Sequence, residues 1–140
     1  MDPALHAAAT SLFARYARGV DEGDIDDLAD CFTVDARMEL RLPGADPIVL
    51  DGRAAIAGFV RDFRASPEAR QQRRHGFTGV LAEPDGAGRA RASATLLLTG
   101  VVGDGVALLA TGRYRDALVA EADGWRIAER VAVMDVAPRT

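Results

Sequence analysis

Lysine is absent from this chain of 140 residues, so 17 arginines carry all the positive charge against 21 acidic side chains. A formal net charge of −4 argues against a nucleic-acid surface. The excess of arginine and alanine fits codon bias in a GC-rich genome. Cysteine occurs once, at Cys31, which excludes an internal disulfide and leaves a zinc site without a cysteine pair. Histidine occurs only at positions 6 and 75, so no histidine–carboxylate cluster with three metal ligands is expected. No long apolar run is present, and the opening MDPALHAAAT lacks a basic stretch. Neither a signal peptide nor a membrane span is therefore expected, and the reading is cytoplasmic. Ser11, Ser66 and Ser93 lack a GxSxG context, and the glycine-rich runs precede no helix. Nucleophile-elbow and phosphate-loop chemistry drop out, and no cofactor is implied.

What is present is enough for one domain spanning residues 1–140. Hydrophobic residues make up 49% of the chain, with charges of both signs interspersed. Leu5, Ala9, Leu12, Phe13, Tyr16 and Val20 recur at helical spacing and predict an amphipathic helix over residues 3–21. Gly23 is placed to end it, and Asp24 to cap a short second helix whose inner face carries Ile25, Leu28, Ala29 and Phe32, with Cys31 packed nearby. From Arg37 the period becomes two, predicting a strand that ends at Pro43–Gly44 and pairs with Ile48–Leu50. A third helix follows Gly52, with Ile56, Phe59, Val60 and Phe63 inward and Pro67 beyond its end. Four longer strands are expected over residues 74–82, 89–99, 106–119 and 125–136, separated by the turns PDGAG, GDG and EADG. Arg70, Arg73 and Arg74 read as a solvated loop run. The order predicts an α+β architecture, with helices on one face of a curved sheet and a pocket at its wide end.

The runs RYARGVDEGDIDDLADCFTVDARMEL, GRAAIAGF, RHGFTG, GRYRDALV and DGWRIAER occur in that order over nearly the whole chain. Together they resemble the SnoaL-like branch of the nuclear-transport-factor-2-like superfamily. The resemblance implies a cone-shaped barrel of three N-terminal helices on a mostly antiparallel sheet, and a homodimer formed through the outer sheet face. Two catalytic groups within that superfamily can be compared. In ketosteroid isomerase-like proteins a tyrosine of the first helix and an aspartate of the penultimate strand stabilise an oxyanion; Tyr16 and Asp116 match. The isomerase base, however, falls on Leu40, which cannot take a proton. In scytalone dehydratase-like and bile-acid dehydratase-like proteins, an aspartate ending the first helix and a histidine opening the third strand form an acid–base pair. Asp21 and His75 match those places, and Tyr16 matches a tyrosine of the bile-acid enzyme.

Each candidate also has a plain structural alternative. His75 is either a base, as the one side chain titrating near neutrality, or a packed rim residue on a face shared with Phe77, Gly79 and Leu81. Asp21 either orients His75 or is simply a helix-terminal carboxylate, at a position the helix dipole disfavours by about 0.3–1 kcal/mol. Tyr16 either donates to a ligand oxygen or bonds to a core carbonyl. Asp116 and Arg130 either pair with each other, bind ligand, or face solvent. Apolar walls are expected from Phe13, Met38, Leu40, Phe59, Phe63, Phe77, Leu96 and Leu98. The leading expectation is a cofactor-independent lyase or cyclase for a hydrophobic, oxygenated small molecule of polyketide or polycyclic type. The alternatives are a non-catalytic binding module and an isomerase.

Overall fold

In the computed structural model, which describes residues 2–139, the first helix is delimited by its own sequence. Helix α1 (Pro3–Glu22) starts where Asp2 Oδ1 accepts hydrogen bonds from the backbone N–H of Ala4 (3.0 Å) and Leu5 (3.2 Å). Pro3 sits where a missing N–H costs nothing. The helix ends at Gly23, whose φ of 90° a residue with a Cβ would resist. Helix α2 (Ile25–Asp30) follows, then strands β1 (Phe32–Arg41) and β2 (Ile48–Asp51) and helix α3 (Arg53–Ala65). A single 3₁₀ turn over Pro67–Arg70 leads into the meander β3 (Arg73–Pro84), β4 (Arg89–Val102), β5 (Gly105–Glu121) and β6 (Gly124–Met134).

The six strands form one sheet in the order β2-β1-β6-β5-β4-β3. All neighbours are antiparallel except β1 and β6, which run parallel, so the sheet is mixed, and its edges β2 and β3 do not pair. The helices cover the concave side. Phe13, Leu28, Phe32, Ile56, Leu96 and Ile127, buried to within 1%, form the centre of the core, each contributing about 1.5–3 kcal/mol from its removal from water.

Several expectations are corrected here. Helix α2 stops at Asp30, and Phe32 opens β1 instead of completing a helical face. The early part of β1 is irregular, with its register shifting between Phe32 and Arg37, so the period-two signal appears only from Arg37. The Arg53 guanidinium holds this irregular stretch by donating to the Phe32 carbonyl through Nε (2.8 Å) and Nη2. Asp24 precedes α2 but makes no side-chain capping bond. Arg73 and Arg74 belong to β3, not to a loop. On β3 the expected alternation fails beyond Thr78. Gly79, at φ 62°, lies in a bulge where β3 carries one residue more than β4, which turns Leu81 outward and Val80 and Ala82 inward.

Candidate functional site

The end of α1 is fastened to the start of β3 by two acid–base contacts. Glu22 Oε1 accepts from Arg74 Nη1 at 2.9 Å on the surface. One residue earlier, Asp21 takes both hydrogen bonds that His75 offers on that side. Its Oδ2 accepts from the His75 backbone N–H at 2.7 Å, and its Oδ1 lies 2.6 Å from Nδ1. The Asp21 side chain is 5% exposed and that of His75 12%. A carboxylate at Nδ1 selects the tautomer with the proton there, leaving Nε2 as the basic nitrogen. Nε2 makes no hydrogen bond among the described residues.

That imidazole lines a cavity of about 170 Å³ between α1, α3 and the concave sheet face. Met38, Leu40, Phe59, Phe63, Leu96 and Leu98 supply apolar wall, as the sequence suggested. Leu40 stands in that wall, so the place of the isomerase base is apolar. Tyr16 also lines the cavity, its ring 6.3 Å from that of His75 and perpendicular to it. A larger groove of about 740 Å³ crosses the outer sheet face among Glu83, Arg91, Arg113, Arg115 and Glu129. It is open and charged and does not contain His75, so the inner cavity is the candidate site.

Four expected site residues are placed elsewhere. Phe13 and Phe77 pack on each other, with ring centroids 5.0 Å apart, as core behind the cavity and not as its lining. Asp116 and Arg130 form a bidentate pair, with Nε–Oδ1 at 2.8 Å and Nη2–Oδ2 at 2.6 Å. Both carboxylate oxygens are engaged by Arg130, which leaves Asp116 unsuited to donate to a ligand. Neither residue lines the cavity. Arg130 is wholly buried, its guanidinium carbon 4.5 Å from the Tyr16 ring centroid, 4.9 Å from Phe13, 5.2 Å from Tyr114 and 5.7 Å from Phe32. Burial works against its charge, but Asp116 and the two tyrosines outweigh that and keep it firmly protonated.

Tyr114 is the polar cavity residue that sequence reasoning missed. The available signal was its place in GRYRDALV, on the same strand face as Gly112 and Asp116. Its ring centroid lies 5.9 Å from that of Tyr16, and both phenols line the cavity. Burial raises the pKa of Tyr16, partly offset by the Arg130 charge and the Tyr114 hydroxyl. Burial raises Tyr114 further still. Both therefore remain O–H donors at neutral pH. Cys31 has no part in this site: it is buried, its Sγ lies 3.4 Å from the Asp27 carbonyl, and burial pushes its thiol up to about 11. Among the described residues, no group of three or more histidine, cysteine or carboxylate side chains could hold a metal ion. No helix among the described residues is long and apolar enough to cross a membrane.

No curated protein matches this sequence. Solved structures do. A protein from Catenulispora acidiphila, in complex with S-DNPA, shares 32% identity over 94% of each chain with a TM-score of 0.77. Aln2 from a Streptomyces species shares 29% identity over 96% of this chain and 94% of its own, with a TM-score of 0.80. ActVI-ORFA from Streptomyces coelicolor shares 25% identity over 94% of this chain and 98% of its own, at 0.78. The family model of the SnoaL-like domain matches residues 4–131, and the chain, with its cone of three helices on a curved sheet, is a member of the SnoaL-like family.

Proposed function

We propose that this protein is a cofactor-independent acid–base catalyst, a dehydratase- or cyclase-like lyase acting on a hydrophobic oxygenated small molecule of polyketide or polycyclic type. The observation that carries this reading is the Asp21–His75 pair, which presents an unpartnered imidazole nitrogen to a cavity walled mostly by apolar side chains. In a dehydration, Nε2 takes the proton alpha to a carbonyl, and the electron pair moves onto the carbonyl oxygen. Tyr16 and Tyr114 donate to that oxygen as its charge develops. The enolate then expels the β-hydroxyl, which accepts the proton from Nε2 and departs as water, leaving an enone. In a cyclisation the same enolate attacks a second carbonyl, and Nε2 returns the proton to the new alkoxide. Asp21 keeps the imidazole in one tautomer and stabilises it when protonated. The structure of a relative in complex with S-DNPA supports a small-molecule ligand.

The test is a panel of β-hydroxy polycyclic ketones, followed by mass spectrometry for loss of one water. Wild-type protein should turn over at least one member, and His75→Gln should slow it by ~10²–10⁴-fold, the usual worth of a placed acid–base group. Binding should change far less, since the apolar walls supply most of it. Equal rates for variant and wild type, or no water lost from any member, would refute the acid–base reading and leave a binding module. The same proposal gives the outer sheet face to a second copy of this chain. Exposed Leu97, Val101 and Leu108 support it.

A further inference from the structure

We infer that Arg73 is the anion-recognition residue of this cavity, and that the ligand carries a carboxylate beside the atoms His75 addresses. This deepens the proposed function and rests on the same cavity. Among the described residues, Arg73 is the sole arginine lining it, and apart from the two phenols only His75 joins it as a titratable wall residue. Its neighbours are already engaged: Arg74 pairs with Glu22 at 2.9 Å, and Arg64 donates to the Val20 carbonyl at 2.8 Å. Arg73 has no carboxylate within salt-bridge distance among the described residues. Its Nε donates to Gln71 Oε1 at 3.1 Å, and its guanidinium lies 5.6 Å from the Phe63 ring centroid. These contacts fix the plane of the group and leave the two Nη nitrogens without a protein acceptor among the described residues.

A half-buried guanidinium held in place with its fork unoccupied is built to receive an acceptor of matching shape. Burial lowers its pKa, and Glu68, acting only at longer range, offsets this in part. That is the direction expected of a charge whose counter-ion is supplied from outside. A carboxylate fits better than a phosphate, because one guanidinium fork in a mostly apolar wall can neutralise a single negative charge but not two. Arg73 and His75 stand two residues apart on the inner face of β3, so their Cα atoms are separated by roughly 6.5 Å of strand rise. An anion on Arg73 and a carbon facing Nε2 thus share one cavity. The overall charge of −4 repels anions in general, so this local cation decides which end of a ligand enters.

The probes are 2-naphthylacetic acid and 2-naphthylacetamide, which differ only in charge, with binding followed by amide chemical shifts in heteronuclear NMR. Wild type should hold the acid about tenfold more tightly than the amide at low salt, with the gap shrinking as salt rises. Arg73→Gln should abolish that preference and leave the amide within about twofold, and Arg73→Lys should restore part of it. A purely packing role for Arg73 would weaken both probes alike. That outcome overturns the inference, as does acid binding no tighter than amide in wild type, including no binding of either. His75→Gln should leave the preference intact. The readout is binding alone, so an inactive catalyst with a retained acid preference would refute the proposed reaction and spare this inference.

Discussion

Asp21 accepts from the backbone and the imidazole of one residue, so its contribution is to fix how His75 presents Nε2. Arg130 and Asp116 stabilise in a different way, because both are buried and Arg130 engages both Asp116 oxygens through Nε and Nη2, while its Nη1 is buried without a hydrogen-bond partner among the described residues. Removing one partner of such a pair leaves an uncompensated charge. Arg130→Met should destabilise by about 3–5 kcal/mol in urea denaturation, whereas Arg130→Met with Asp116→Leu should recover most of that loss. A double variant as unstable as the single would mean that the guanidinium acts through its aromatic cage and not through Asp116. Individual roles were unevenly legible in the sequence. Asp21 and His75, 54 positions apart, could be joined only through the family resemblance, since no local pattern links a helix end to a strand start. Arg73 read as solvated because a run of arginines says nothing about which one turns inward. Tyr114 and Asp116 share one strand face, yet Tyr114 lines the cavity while Asp116 is held outside it by Arg130, a contact between strands that one sequence pattern does not show.

At the scale of elements, the number and order of helices and strands follow from periodicity and turns. The bulges that curve the sheet do not. Besides the bulge at Gly79, β5 carries an extra residue at Leu109 opposite β4, and β6 carries one at Ala128 opposite β5. Each switches which residues face inward, so alternation from the sequence holds only between bulges. Leu109 and Ala110 are consequently both buried, and Ile127 points inward although alternation from Arg130 selects Ala128. Glycines show the same limit. A Cβ on Gly112 would lie 2.7 Å from the Val133 carbonyl oxygen and 3.1 Å from Met134 Sδ, whereas one on Gly58, inside α3, would meet nothing within 4 Å. Gly112→Ala should therefore cost about 1–3 kcal/mol by forcing β5 and β6 apart. Gly58→Ala should stabilise by about 0.4–1 kcal/mol by restricting the unfolded chain. Thermal melts of the two variants check the opposite signs. A neutral Gly112→Ala would show that β6 yields easily at this point.

For the molecule as a whole, the concave face of the sheet is filled by helices and cavity, while the convex face is left to solvent in a single chain. Its composition changes along the strands. Arg91, Arg113, Arg115, Glu83 and Glu129 occupy one end, and Leu97, Val101, Val106 and Leu108 the other. The register sets these apolar residues side by side, since Val101 pairs with Val106 and Thr99 with Leu108, with Leu97 two residues further along β4. Leu97 is 42% exposed, Leu108 51% and Val106 74%. A contiguous apolar strip on a rigid sheet, bordered by charges of both signs, suits a self-complementary interface. The expected state is a homodimer burying roughly 1,200–2,000 Å² in total. Sedimentation equilibrium at micromolar concentration should give twice the chain mass of 14.8 kDa. Leu97→Arg combined with Leu108→Glu places charge in the strip on the face opposite the cavity. The pair of changes should return the mass to that of one chain while leaving acid binding at Arg73 intact. A wild-type mass near 14.8 kDa would remove the convex face as a dimer surface. A double variant that remains dimeric would move the interface to another face.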